Sequence, residues 1–476
     1  MALIIYLTVS ALLILGIILI RRKITDNVLS VLFLAVQWGF GIYEYFNQNT
    51  VQLEYFTPDA IGLILLFVLN IVGTASIFYS FIYFRYNNDT PKKRSIYFAA
   101  ILTLITSLSA AYLANHIAIL WIFVELTTLS STVLIYHNRT EKSLEATWKY
   151  LFISSISVAL IFIGILFLGL AVQQAKLGGM FFPDLLKNAT RLDEFWLKAS
   201  FLLVFTGFTV KAGLAPMYTV GIDAKDKAPT PAAAIFSSAI MNVGFLGIFR
   251  MFEITSKTTV HQWASMVVII SAAISVFISA SYMVRVKSFK RMFAYSSIEH
   301  MGIIMLGMAM GGIGYYGAIL HAILHSLAKS SLFYQCGSIF RVMKSKFIKD
   351  SGNYFELNTF GAVIIIIGFF IITAMPPSGL FVSEFMIFRS MFEAKYLWLM
   401  IIMLVLLSFI VWSMGENLFK LLFVKSENLE MKSDSERIGF FETLPQLMLL
   451  AGAVYLGLYP PPFLHNLIQQ ALVNLK

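Results

Sequence analysis

Long apolar runs, each bounded by a short polar segment, dominate this chain from its first residue to nearly its last. At about 20 residues per bilayer crossing, each run is long enough to span a membrane as a helix. The candidate spans are 1–20, 28–46, 59–84, 96–114, 116–136, 148–172, 200–220, 229–252, 263–284, 292–311, 314–340, 359–392, 396–423 and 440–460. The pattern therefore predicts an all-α polytopic membrane protein with about 14 transmembrane helices. The first run lacks a charged start and ends in Arg21-Arg22-Lys23. It reads as a first span and not as a cleaved leader.

Positive charge tests the count, because it should gather in alternate loops on the cytoplasmic side. On one side fall Arg21 to Lys23, Arg85 with Lys92 to Arg94, Arg139 with Lys142, Lys225 with Lys227, Arg285 to Arg291, Arg341 to Lys349, and Lys425 to Arg437. Loops 47–58 and 254–262 carry few such residues. An even count follows, with both termini on the non-cytoplasmic side of what reads as a prokaryotic inner membrane. The outer loop 173–199 and the end 461–476 read as short amphipathic interfacial segments.

Composition narrows the class. The 476 residues are 59% hydrophobic and 13% charged, against about 45–50% and about 25% in soluble domains. That excludes a soluble enzyme. The formal charge of +10 is what basic loops confer, so no nucleic-acid partner is inferred. With the single cysteine, Cys336, no disulfide, iron–sulfur or thiolate-metal spacing exists. Catalytic residues are not expected, and any redox cofactor belongs to a partner.

Two spans carry helix breakers at depth: Lys211-Ala212-Gly213-Leu214-Ala215-Pro216 in the seventh and Met375-Pro376-Pro377-Ser378-Gly379 in the twelfth. Freed backbone at that depth must line a cavity or meet other helices. Five spans separate the breaks, so the two broken helices start on opposite sides, as an inverted repeat requires. The expected division is 1–95 (three N-terminal helices), 96–253 (helices four to eight), 254–424 (helices nine to thirteen) and 425–476 (last helix and interfacial tail).

Ionisable residues inside a bilayer cost about 2.5–3.5 kcal/mol each, so they need partners or water. Glu125 stands in Trp121-Ile122-Phe123-Val124-Glu125-Leu126 with no neutralising neighbour in sequence, and Lys149 either snorkels to the interface or pairs with it. Lys211 precedes the first break and Glu384 follows the second. His321, His325 and Lys329 share one helix face at i, i+4 and i+8. Imidazoles so stacked form a proton wire. A metal is not expected, since no third ligand stands at metalloprotease spacing and Lys329 repels a cation. Glu299 and His300 follow Lys290-Arg291 closely, which places them at the cytoplasmic rim as an access pair or a structural ion pair.

Together these stretches, with Ala228-Pro229-Thr230-Pro231 and Lys290 to Gly302, resemble the proton-pumping antiporter-like subunits of respiratory complex I, cation/proton antiporters and energy-converting hydrogenases. Residues 290–303 and Phe381 to Phe385 are most similar to the F component of hydrogenase-4. The resemblance implies two inverted five-helix repeats with discontinuous seventh and twelfth helices. It implies that Glu125 modulates Lys149, that Lys211 carries protons, that His321, His325 and Lys329 conduct them, and that Glu384 exchanges them with the outside or the next subunit. Many relatives carry a second lysine where this chain has Asn242, which relays a hydrogen bond but holds no proton. The implied function is proton (or Na⁺) translocation in a multisubunit redox complex. Nickel–iron and iron–sulfur centres would sit on a peripheral arm, with further membrane subunits alongside. A multisubunit Na⁺(K⁺)/H⁺ antiporter or an inorganic-carbon uptake complex is the alternative.

Overall fold

The computed structural model describes residues 1–87, 89–424 and 438–475. The basic stretch Lys425 to Arg437 lies outside them. Twenty α-helices follow in order: α1 (Ala2–Ile20), α2 (Lys23–Phe46), α3 (Ala60–Tyr86), α4 (Pro91–Leu113), α5 (Ile117–Ile135), α6 (Glu141–Gln174), α7 (Phe182–Lys187), α8 (Glu194–Ala212), α9 (Thr219–Lys227), α10 (Thr230–Ser237), α11 (Ala239–Ser256), α12 (His261–Met283), α13 (Phe289–Met310), α14 (Ile313–Met343), α15 (Tyr354–Leu357), α16 (Thr359–Ile372), α17 (Gly379–Glu393), α18 (Leu397–Phe423), α19 (Phe440–Leu458) and α20 (Pro462–Ala471). Their starts follow capping chemistry. Asp59, Thr90, Asp193, Ser288 and Ser378 accept from backbone N–H groups three residues on, and Thr140 and Ser143 cap each other reciprocally.

Among the described residues, eleven helical stretches are long and apolar enough to cross a membrane. The remaining crossings of the expected fourteen are α13 and α14, both long and rich in polar residues, and the broken pair α16 and α17. Burial separates the helices into two kinds. The stretch Thr230–Ser256 is wholly inside the protein, whereas only 22% of α1 and of α18 is, and these turn Leu12, Leu19, Trp398 and Trp412 outward to lipid.

The loops sort by end as the charge alternation requires. Asp26 meets Arg94, Asp89 meets His137, Asp226 meets Arg291 and Lys346, and Arg341 meets Glu442, so the basic loops share one end. At the other end Asp59 pairs with Arg250, Glu194 contacts Thr259 and Glu253 holds Asn474. The expected interfacial segments are present as α7 and as the amphipathic α20, whose apolar side buries Leu464, Leu467 and Ile468.

The two broken spans stop alike. Helix α8 ends at Gly213, with φ of 72°, and Leu214 N–H donates to the Thr209 carbonyl at 2.9 Å. Helix α16 ends at Ala374, with φ of 50°, and Met375 N–H donates to the Phe370 carbonyl at 2.9 Å. Both are six-residue closures of a helix C-terminus. They run in opposite directions, α8 inward from the end of Glu194 and α16 inward from the basic end. Serines of α12 satisfy the backbone freed at the first break: Ala215 N–H donates to Ser275 Oγ at 2.8 Å and Ser271 Oγ–H to the Ala215 carbonyl at 2.5 Å. The eighth span, expected as one helix, has its own interruption at Ser238, with φ −123° and ψ −86° between α10 and α11.

Candidate functional site

Lys211 occupies the last turn of α8, where the helix must stop, and its side chain enters a buried polar pocket between α5 and α6. Its Nζ donates to Thr128 Oγ1 at 2.8 Å and to Tyr150 OH at 3.0 Å. Its charge acts on Glu125, which also meets Thr128; one Glu125 oxygen, Oε2, is buried without a protein partner. The carboxylate and the ammonium thus share Thr128.

Lys149 is elsewhere. It pairs with Glu145 on the outer face of α6, with side chains 52% and 62% exposed, so the pairing with Glu125 does not form. Successive residues on a helix point about 100° apart, and it is Tyr150 that faces inward. This is the interfacial alternative for Lys149.

Asn242, at the start of α11, donates from Nδ2 to Ser326 Oγ of α14 at 2.9 Å, while its Oδ1 is buried and unpartnered. Beside it lies a lysine that the charge pattern groups with the basic loops. Lys225 of α9 is 3% exposed, with Nζ 3.1 Å from the sulfur of Met241, and its charge reaches both His325 and Lys329. No sequence signal separates Lys225 from its exposed-loop neighbours; only the inward turn of α9 after the break does so.

The histidine face of α14 lies wholly inside the protein, His321, His325 and Lys329 all being fully buried. Glu299 and His300 are not at a rim. Helix α13 carries them to mid-depth against α14, 4% and 0% exposed, because α13 starts at Phe289 and they fall three turns in. His300 Nδ1 and His321 Nε2 share a hydrogen bond at 3.0 Å, and His321 Nδ1 meets Ser383 Oγ of α17 at 2.9 Å. The His300 ring also lies 5.2 Å from that of His325. Lys329 donates to the Phe293 carbonyl at 3.0 Å, and Glu299 faces its charge.

Glu384, one residue past Ser383, closes the row. Donor atoms of His300, His321 and Glu384 lie within 4.8 Å of one another, so the fold supplies the third ligand that sequence spacing lacks. A hydrogen bond already joins His300 to His321.

The ionisable groups thus form one row, from half-buried Glu125 and buried Lys211 at the first break, past Asn242 and Lys225, through His325, His300 and His321, to Glu384 beyond the second break. Along it, Glu125 Oε2, Asn242 Oδ1, Glu299 Oε2, His300 Nε2 and both His325 nitrogens are buried without a protein partner. Buried polar atoms nearly always have a partner, commonly ordered water. Sequence reasoning missed Thr128, Tyr150, Ser326 and Ser383, which carry no charge and so give no hydropathy signal.

Comparison with known proteins gives the family and the fold. Residues 114–410 match the family described as NADH:quinone oxidoreductase/Mrp antiporter, TM. The hydrogenase-4 component F homolog of Methylacidiphilum infernorum is 26% identical over 431 residues, 89% of each chain. The F420H2 dehydrogenase subunit N of Methanosarcina mazei is 24% identical over 467 residues, 94% of this chain and 91% of its own. The fold superposes on a chain of the membrane-bound sulfane sulfur reductase, an archaeal respiratory membrane complex, with a TM-score of 0.85 at 19% identity, covering 99% and 97% of the two chains. The family match covers well over half of the chain, which therefore belongs to the NADH:quinone oxidoreductase/Mrp antiporter transmembrane family.

Proposed function

We propose that this chain is a proton-translocating subunit of a multisubunit membrane redox complex of the hydrogenase-4 or complex I-related kind. The observation that carries the reading is the buried row itself, which links two oppositely directed broken helices through hydrogen-bonded histidines. Lys211 and Glu125 form the exchangeable pair at one break, and a displacement of Glu125 alters the charge that Lys211 feels. Lys225 supplies the cation that Asn242 does not, and Asn242 with Ser326 orients the water between them. The histidines pass protons on, and Glu384 delivers them past the second break. Titrations along such a row belong to the coupled set and not to single residues.

In this reading the bilayer is a prokaryotic inner membrane with the basic loops in the cytoplasm, both termini outside, and the chain divided at about 95, 253 and 424. Electron carriers, nickel–iron and iron–sulfur centres among them, sit on a peripheral arm of partner subunits. A second reading, favoured by the Mrp part of the family description, is an ion/proton antiporter without redox partners. Mass spectrometry of the complex copurified in mild detergent separates the two. Hydrogenase-like and iron–sulfur subunits are the expected companions, whereas small hydrophobic antiporter subunits alone, or a soluble zinc protein, would overturn the redox assignment.

A further inference from the structure

At the basic end, away from the proton row, a cavity of about 660 Å³ opens between the ends of α3 and α14, the start of α6 and the α9–α10 junction. Its wall carries Lys142, Lys227, Lys290, Arg341, Lys344 and Lys346 against one carboxylate, Asp226. That carboxylate is already shared: Asp226 Oδ2 lies 2.5 Å from Lys227 Nζ, 3.6 Å from Arg291 Nε and 3.7 Å from Lys346 Nζ. Glu442 holds Arg341 at 2.7 Å. Asp223 pairs with Arg291, so among the described residues three carboxylates serve seven cations. Burial and then the neighbouring Lys227 push the Lys346 ammonium below the usual lysine range, with Asp226 acting the other way. Thr230, 4% exposed, also lines the cavity, and its hydroxyl has no protein partner.

Such a wall is built for a small, multiply accepting anion. Its rim tells which. Tyr83 and Tyr86 stand at the helix ends, where interfacial aromatics gather. Phe340 and Phe347, 53% and 40% exposed, continue the wall outward as an apolar surface. We propose that this cavity binds the phosphate headgroup of an anionic phospholipid, with Lys227, Lys344, Lys346 and the Thr230 hydroxyl on the phosphate and the acyl chains leaving along Phe340. Basic pockets between helices on that side of a membrane are suited to such headgroups.

The test is native mass spectrometry of the intact complex titrated with phosphatidylglycerol or phosphatidylcholine, for the native chain, K344Q/K346Q, and the control R285Q/K287Q, whose charges lie on a neighbouring loop outside the cavity. The native chain and the control should retain phosphatidylglycerol in preference to phosphatidylcholine. K344Q/K346Q should bind it roughly thirtyfold more weakly, two lysines being lost. Equal retention of the two lipids, or unchanged affinity in K344Q/K346Q, would overturn the proposal. So would displacement of phosphatidylglycerol from the native chain by an equal concentration of inorganic phosphate, since a free anion would then suffice. Should K344Q/K346Q not assemble, the native chain's lipid preference and the phosphate competition decide.

Discussion

Gly244→Ala offers a way to disturb the proton row without touching an ionisable group. Gly244 lies on α11, two residues past Asn242, pressed against the end of α8. A Cβ there would stand 2.2 Å from the Ala212 backbone nitrogen, 2.7 Å from the Lys211 carbonyl carbon and 2.8 Å from the Ala212 Cα. All three obstacles are backbone, so no rotamer change relieves them. Ordinary contact begins near 3.4 Å, and α8 and α11 must part by about 1.2 Å. The stability cost of such overpacking is about 1–3 kcal/mol. Lys211 is held to α5 and α6 by Thr128 and Tyr150, so the separation opens between Lys211 and Asn242. A displacement of about 1 Å at a reacting centre costs up to about 100-fold in rate; a loss of roughly tenfold or more in proton transport is expected here. The assay is acidification of inverted membrane vesicles followed with a pH-sensitive dye, normalised to the amount of assembled complex. Gly221→Ala is the matched control, since nothing lies within 4 Å of a Cβ there. Native transport and native melting in G244A would refute the claim that close α8–α11 packing sets the Lys211 link.

Other consequences follow from the same geometry. If Lys225 replaces the cation missing at Asn242, K225M should lower proton transport at least tenfold, and the double variant K225M/N242K should recover much of it; transport in K225M equal to native would dismiss that role. Arg250 lies between Asp59 at 2.6 Å and Glu253 at 3.6 Å at the non-basic end, so R250M leaves two carboxylates without their cation and should cost about 3–5 kcal/mol in chemical unfolding in detergent. Outside the membrane, the His137 hydrogen bond, then Lys93, holds the Asp89 carboxyl down to about 2. Being depressed in the folded protein, its contribution is fully present above the ordinary carboxylate range and is lost as pH falls toward about 2. H137Q should move that loss upward, seen as an earlier onset of acid unfolding.

Much of the fold is legible in the sequence because a bilayer imposes one period and one length on every crossing. The charge alternation is readable for the same reason, and the structure gathers the described basic loops at one end. Lys225 shows the limit of that reading. A lysine near a helix end is usually solvated, and only the turn at Gly213 to Pro216 swings α9 so that Lys225 points inward. Glu299 and His300 lie deeper than hydropathy suggests, because the apolar run begins at residue 292 whereas Ser288 caps α13 and seats them a turn further in. The interruption at Ser238 has no proline or glycine to announce it. The histidine face is readable from spacing alone, because i, i+4 and i+8 share a helix face wherever the helix lies. The partners Ser383 and Glu384 come from a different helix, and no spacing along the chain brings them to His321.

The central claim is that protons cross through Lys211. The ratio of protons moved to electrons transferred, measured in the intact reconstituted complex with native chain and with K211M, tests it most directly. Electron transfer that continues while the ratio drops by the share of this subunit is the predicted result. An unchanged ratio in K211M, with the complex fully assembled, would contradict it.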